Sequence, residues 1–199
     1  AVAEGSPPGR RAFGDNYIQE GGDMRRQLAS LALASAGLEW HCIGPIQSNK
    51  TRLVAENFDW AQTIDRLKIA QRLSEQRPGG LPPLNVCLQV NIDGGPTKAG
   101  VAPGEALALA QAVAALPGLR LRGIMHIPEP AEGFEAQVAV HRRARALFDD
   151  LRAAGLPLDT LSMGMSDDLE AAIAAGSTMV RVGSAIFGGR AYPASAAPV

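Results

Sequence analysis

The sequence predicts an α/β fold in which helices cover a parallel sheet, arranged either as a barrel or as a doubly wound open sheet. Short apolar runs rich in β-branched residues alternate with Ala- and Leu-rich segments of helical period along the 199 residues. Repeated strand-helix units of this kind form parallel sheets with the helices outside. Seven predicted strands at regular spacing, and the absence of a GxGxxG motif, favour a (β/α)8 barrel with one strand missing.

Each element is predicted from its composition and its period. Strands are expected at residues 12–17, 40–46, 58–64, 84–92, 119–127, 160–165 and 177–187. Helices are expected at residues 27–36, 64–75, 105–116, 134–154 and 167–175, the last opened by the cap residue Ser166. The fourth helix carries one apolar stripe, formed by Phe134, Val138, His141, Phe148 and Leu151. No linker divides the chain, so residues 1–199 are expected to form a single domain.

Composition excludes several classes of protein. With 19 basic and 20 acidic residues the net charge is −1, which argues against a broadly basic surface for nucleic acid. The sequence contains no apolar run of the roughly 20 residues that a membrane span needs. Cys42 and Cys87 form no CxxC pair, so neither a metal cluster nor a disulfide scaffold is indicated. We expect a cytoplasmic monomer or weak homodimer with a small-molecule partner and no metal, nucleic acid or membrane.

Two loops near the C-terminus are suited to phosphate. In a (β/α) barrel, phosphate is commonly held by the loops after the last two strands. Here these are SMGMS, which ends at Ser166, and RVGS, which contains Gly183 and Ser184. Small residues with backbone N–H groups and hydroxyls allow close approach of a phosphate. The local pattern alone leaves open that Ser166 is only a helix cap and Gly183 only a bend.

The last predicted strand places Arg181 on an inward face. Thr178, Val180 and Val182 share one face of this strand, so Met179 and Arg181 share the other. If the valines face the covering helices, Arg181 points into the barrel. A buried guanidinium keeps its charge and needs a partner. The sequence therefore predicts either a structural ion pair or a ligand at Arg181.

Other polar residues are ambiguous from the sequence. Asn16 ends the first predicted strand, and His41 alternates with apolar neighbours, which is compatible with a position inside the barrel or in an ordinary core. His126 at a strand end is equally open, and His141 on a helix stripe is expected to be structural. No GxSxG, P-loop or HExxH motif is present.

Five motifs resemble the pyridoxal phosphate homeostasis protein family, whose members are similar to the barrel domain of alanine racemase. They are FGDNYIQE at 13–20, WHCIGPIQSNK at 40–50, VNIDGGPTKAGV at 90–101, RGIMHIP at 122–128 and LSMGMSDDLEAAIAAGSTMVRVGSAIFGGR at 161–190. The resemblance implies a (β/α)8, or TIM, barrel of the alanine racemase N-terminal type. It also implies a protein of intracellular vitamin B6 homeostasis that binds pyridoxal 5′-phosphate (PLP).

The resemblance further implies where the cofactor would lie. The phosphate would contact Ser166, Gly183 and Ser184, and the pyridine nitrogen would face Arg181. Four other residues are implied near the cofactor: Met163 along the ring, Lys98 near the phenolic oxygen, and Asn16 and His41 as neighbours. A guanidinium cannot accept a proton, so it leaves the pyridine nitrogen unprotonated and the ring a poor electron sink. Little or no catalytic turnover is therefore expected.

One departure from the family concerns its Schiff-base lysine. The family carries this lysine at the end of the first barrel strand, ahead of FGDNYIQE, whereas no lysine precedes Phe13 here. The expectation is a barrel without its first strand and without that lysine, and no other lysine takes over the role. Two alternatives stay open: a PLP-dependent amino-acid racemase, which needs a second base, and a sugar-phosphate enzyme using the same loops.

Overall fold

One parallel sheet organises the molecule. The structure is a computed structural model that describes residues 12–19, 21–23, 37–95 and 99–183. Six strands lie side by side in chain order, and all neighbouring pairs are parallel. A doubly wound sheet would reverse its strand order at a switch point, whereas this sheet does not. The predicted barrel type is confirmed. The strands are β1 Ala12–Asp15, β2 Glu39–Cys42, β3 Trp60–Ile64, β4 Leu84–Gln89, β5 Leu119–Met125 and β6 Thr160–Ser162.

Helices connect the strands. The described helices are α1 Thr51–Asn57, α2 Leu67–Gln76, α3 Ala106–Ala114, α4 Phe134–Ala153 and α5 Leu169–Ala174. Short 3-10 turns, Ser48–Lys50 and Pro103–Glu105, lead into α1 and α3, and residues 18–19 and 21–23 are helical. The sequence does not predict α1, because seven residues span only two turns and show no clear period. The predicted helix at residues 27–36 lies outside the described residues.

Two details of the predicted helices need correction, although α4 begins at Phe134 as predicted. Phe134 was expected on the buried stripe of α4, but it is the first residue of the helix and is 48% exposed. The rest of the stripe is buried as predicted. Ser166 is not the cap of α5, because residues 166–168 form a turn and Asp168 occupies the cap position. The cap is the second of the two acids that follow Ser166, and the helix begins at Leu169.

The sheet separates two apolar clusters. Successive strand residues point to opposite faces, so one strand contributes to both sides. Val86 and Leu88 of β4 belong to the main core together with the buried face of α2. Cys87, between them, packs on the other face with Trp60 and Met125. The second face is the interior of the barrel, and it is the side on which the polar residues of the site converge.

The seventh predicted strand lies beside β6 but is described only in part. Met179 forms an isolated parallel bridge with Ser162, and the backbone N–H of Met163 donates to the carbonyl of Met179 at 3.0 Å. Residues 184–187 of this predicted strand lie outside the described residues. The segment therefore continues the sheet order past β6, and it carries Arg181 to the carboxyl end of the strands.

Candidate functional site

Arg181 lies at the carboxyl ends of β5 and β6. Its Nη1 donates to Ser162 Oγ at 2.8 Å, and its Nη2 donates to the backbone carbonyl of His126 at 3.0 Å. His126 directly follows β5, and its own N–H donates to the carbonyl of Ser162 at 3.2 Å. Two strands and the segment after β6 thus hold the guanidinium in one orientation. A guanidinium has five N–H donors, so this arrangement leaves others for a ligand.

The charge of Arg181 has no acidic partner in the described part of the chain. No Asp or Glu there lies within 4.0 Å of the guanidinium, so the structure does not show the structural ion pair that the sequence left open. Burial lowers the pKa of Arg181 to about 10, while the more distant Asp168 acts in the opposite direction. The side chain remains a cation at neutral pH, and it is poorly hydrated. Such a group favours a ligand that brings hydrogen-bond acceptors.

A chain of polar side chains crosses the barrel interior from Arg181. Ser162 Oγ donates to Gln62 Oε1 at 2.7 Å, and Gln62 Nε2 lies 2.9 Å from His41 Nδ1. Gln62 Nε2 also donates to Met179 Sδ at 3.2 Å. Ser162, Gln62 and His41 are all buried. These contacts join β2, β3, β6 and the following segment across the inside of the barrel.

The direction of every hydrogen bond in this chain follows from Arg181. A guanidinium only donates, so Ser162 accepts from it and passes its single proton to the Gln62 oxygen. The Gln62 amide group then donates to His41 Nδ1, which must be unprotonated. Burial lowers the pKa of His41 to about 4, in agreement with a neutral ring. His41 stacks on Trp60 at 5.1 Å between ring centroids.

The two predicted phosphate loops lie next to one another. The N–H of Arg181 donates to the carbonyl of Gly164 at 2.9 Å, which connects the loop after β6 to the segment that ends at Gly183. Gly164 has φ 94° and a Cβ there would lie 2.5 Å from Ala172 Cβ, so only glycine lets this loop pack on α5. A Cβ on Gly183 would meet no atom of the described residues within 4 Å. Ser166 lies in the turn between these features.

The remaining predicted site residues are placed as follows. Asn16 directly follows β1 and is exposed. Met163 is fully buried in the main core cluster with Leu161, so its side chain belongs to the helix side of the sheet, and a contact with the cofactor ring stays a prediction. Lys98 and Ser184 lie outside the described residues. The structure thus brings together Arg181, His41 and the two loops.

Sequence reasoning missed Gln62 and Ser162 as site residues. Both are polar residues in strands whose residues are all buried, and that burial of polar groups is the signal that could have indicated them. Among the described residues, no group of three or more His, Cys, Asp or Glu side chains is arranged to hold a metal ion. Every helix in that part of the chain is too short or too polar to cross a membrane.

The fold and the site together define a barrel of the alanine racemase N-terminal type. The family model described as "Alanine racemase, N-terminal domain" matches residues 2–191. An alanine racemase of Clostridium difficile superposes with a TM-score of 0.67 at 16% identity, over 96% of this chain and 55% of that chain. At that identity the similarity concerns the fold alone.

Closer relatives identify the family. The pyridoxal phosphate homeostasis protein of Pseudomonas aeruginosa is 59% identical over 196 residues, which cover 98% of this chain and 82% of the relative. That of Escherichia coli K12 is 56% identical over 192 residues, covering 96% and 81%. The structure of PipY of Synechococcus elongatus PCC7942 with PLP bound has a TM-score of 0.82 at 34% identity, covering 94% and 86%. The chain belongs to the pyridoxal phosphate homeostasis protein family, and the resemblance noted in the sequence is confirmed.

Proposed function

We propose that this chain binds PLP and acts in the cytoplasm as a carrier or regulator in vitamin B6 homeostasis. The observation that carries the proposal is the Arg181 guanidinium, a poorly hydrated cation with no carboxylate within 4.0 Å among the described residues. It begins one of the two loops of small residues, and its N–H bonds to Gly164 in the other, an arrangement that would suit a ligand with a phosphate and a ring acceptor. The names of the relatives and the PLP-bound PipY structure support this choice of ligand.

Different residues would contact different parts of PLP. Arg181 would donate to the pyridine nitrogen while Ser162 and His126 hold its orientation. The phosphate would lie against the two loops, which the bond between Arg181 N–H and the Gly164 carbonyl keeps adjacent. The proposed contacts are Ser166, Gly183 and Ser184 for the phosphate, Lys98 for the phenolic oxygen, and Asn16, His41 and Met163 around the ring.

The same residues support little or no turnover. Bound PLP supplies an aldehyde and a ring that can accept electrons when its nitrogen is protonated. Arg181 only donates hydrogen bonds at physiological pH, so it offers no acceptor for a proton on that nitrogen. The hydroxyl of Ser162 donates its proton to the side-chain oxygen of Gln62, and neutral His41 accepts a hydrogen bond from the Gln62 amide group. The interior chain therefore holds the cation in place and does not deliver a proton to the ligand.

Equilibrium dialysis of PLP against the purified chain tests this proposal. We expect saturable binding, and we expect Arg181→Met to weaken it by about tenfold to a hundredfold, the value of one charge-assisted hydrogen bond. Arg122→Met is the matched control. Arg122 is also a partly buried arginine beside the interior, but Asp159 already pairs with it at 2.8 Å and Trp60 lies under its guanidinium.

Three outcomes would contradict the proposal. Absence of saturable PLP binding by the wild-type chain would overturn it directly. Equal losses in the Arg181 and Arg122 variants would show that a general loss of structure, and not a ligand contact, is being measured. Interconversion of L- and D-alanine by the PLP-loaded chain would overturn the assignment of little or no turnover and favour a racemase.

A further inference from the structure

A second series of hydrogen-bonded, buried side chains lies next to the loop that carries Ser166. His126 Nε2 lies 3.0 Å from His141 Nδ1, and His141 Nε2 lies 2.9 Å from Asp168 Oδ2. The two imidazoles meet edge to face at 5.1 Å between ring centroids. His126 and His141 are almost fully buried. These side chains join the end of β5, α4 and the start of α5, and the roles proposed above use only the backbone carbonyl of His126.

Asp168 ties this chain to the loop. Its other carboxylate oxygen, Oδ1, accepts the backbone N–H of Met165 at 2.6 Å. Ser166 lies between Met165 and Asp168, so the carboxylate closes the turn that presents Ser166. The Met165 N–H is consumed by this bond and is not available to a ligand. The carboxylate therefore determines which groups of the loop can face a phosphate.

The proton positions follow from the carboxylate. A carboxylate only accepts, so His141 Nε2 carries the hydrogen that points at Asp168 Oδ2. His126 Nδ1 is buried and has no hydrogen-bond partner among the residues that the structure describes. Burial first, and then the nearby His141 and Arg181, lower the pKa of His126 to about 4, so this ring is neutral at physiological pH. The bond from His141 Nε2 to the Asp168 carboxylate therefore has a fixed direction, with the imidazole as donor.

His141 connects the loop to the buried stripe of α4. It lies on the buried stripe of α4, a helix of 20 residues whose stripe also includes Ala144 and Phe148. The carboxylate of Asp168 could rotate without this contact, because Met165 holds only one of its oxygens. With His141 donating to the second oxygen, both oxygens are held and the plane of the carboxylate is fixed.

We propose that His141 is a positioning residue for the phosphate of bound PLP, acting through Asp168 on the turn that presents Ser166. The inference rests on the proposed function, because it assigns a role relative to that ligand. His141 itself does not contact the ligand. Its effect is confined to the phosphate end, so it determines the preference for PLP over pyridoxal, which lacks the phosphate.

The test compares the affinities for PLP and pyridoxal in two variants of one residue. Gln keeps an N–H near the position of His Nε2, so His141→Gln is expected to keep the PLP-to-pyridoxal affinity ratio within about twofold of wild type. Asn reaches only the position of Nδ1, so His141→Asn is expected to lower the ratio about tenfold, as for the loss of one charge-assisted hydrogen bond. Leu151→Val, on the same buried stripe, is the control for reduced stability and should leave the ratio unchanged.

A wild-type measurement covers the case in which His141→Asn does not fold. The ring ¹⁵N resonances of His141 should report the Nε2–H form, and they should shift when PLP is added but not when pyridoxal is added. Equal ratios in all variants, equal losses in the Gln and Asn variants, or a ring insensitive to PLP would overturn the role of His141 alone. Failure of the wild-type chain to bind PLP would overturn the proposed function and this inference together.

Discussion

Because His41 is buried as a neutral ring, we expect the free energy of unfolding to fall in mild acid. Burial lowers its pKa from 6.5 to about 4, and the side chain is only 4% exposed. Glu39 Oε2 lies 3.7 Å from His41 Nε2 and would favour the charged ring, but Glu39 is 56% exposed, so water screens its charge and burial dominates. The folded protein therefore holds the neutral ring.

The sign and size follow from proton linkage. The unfolded chain binds a proton at His41 below about pH 6.5, whereas the folded chain binds none until about pH 4. The stability that the neutral ring contributes is complete above pH 6.5 and is lost as the pH falls towards 4. At pH 5, protonation of His41 raises the ratio of unfolded to folded protein by a factor of about 30 relative to pH above 6.5. This corresponds to a loss of about 2 kcal/mol in the free energy of unfolding.

Urea unfolding at pH 7.5 and pH 5, followed by tryptophan fluorescence and circular dichroism, measures this loss. In His41→Asn, an amide oxygen can still accept from Gln62 but the ring no longer titrates, so its acid loss should be about 2 kcal/mol smaller than in wild type. Cys42→Ala is the control, since this neighbour faces the other side of the sheet and does not titrate in this range. Parallel pH dependence in wild type and His41→Asn would refute the reasoning.

Two other predictions concern packing. Gly123→Ala places a Cβ 1.6 Å from the carbonyl oxygen of Thr160 on the paired strand, so β5 and β6 must move apart, and we expect a loss of at least about 2 kcal/mol in urea unfolding. Gly79→Ala, whose Cβ would meet no described atom within 4 Å, should change stability by less than about 0.5 kcal/mol, and equal losses in the two variants would contradict the clash. Burial raises the pKa of both Cys42 and Cys87 to about 12, so neither thiol should react with a disulfide reagent at pH 8 until the chain unfolds. Labelling of the native chain at the rate of a free thiol would show that one of them is accessible.

Much of the fold was predictable because its signals are local. Strand and helix periods appear within ten residues, and the four described helices that the sequence predicts are present within three residues of their expected starts. Some strands were predicted to extend too far, because a glycine bends the backbone sooner. Gly164, with a φ of 94°, lies just after β6, which ends at Ser162 and not at residue 165 as predicted. The position of Arg181 beside the barrel interior was also readable, because alternation along one strand needs no knowledge of its neighbours.

The sequence by itself determined the order of strands and helices, the two loops of small residues and the presence of one arginine that needs a partner. Only the tertiary structure decided what that arginine contacts and which groups stay neutral. Ser162 and Gln62 are 100 residues apart in the chain, and His141 and Asp168 are 27 apart. No local pattern pairs them, because hydrogen-bond partners across a barrel are chosen by strand register and helix packing. The directions of these bonds, and the low pKa values of the buried rings, arise from that packing.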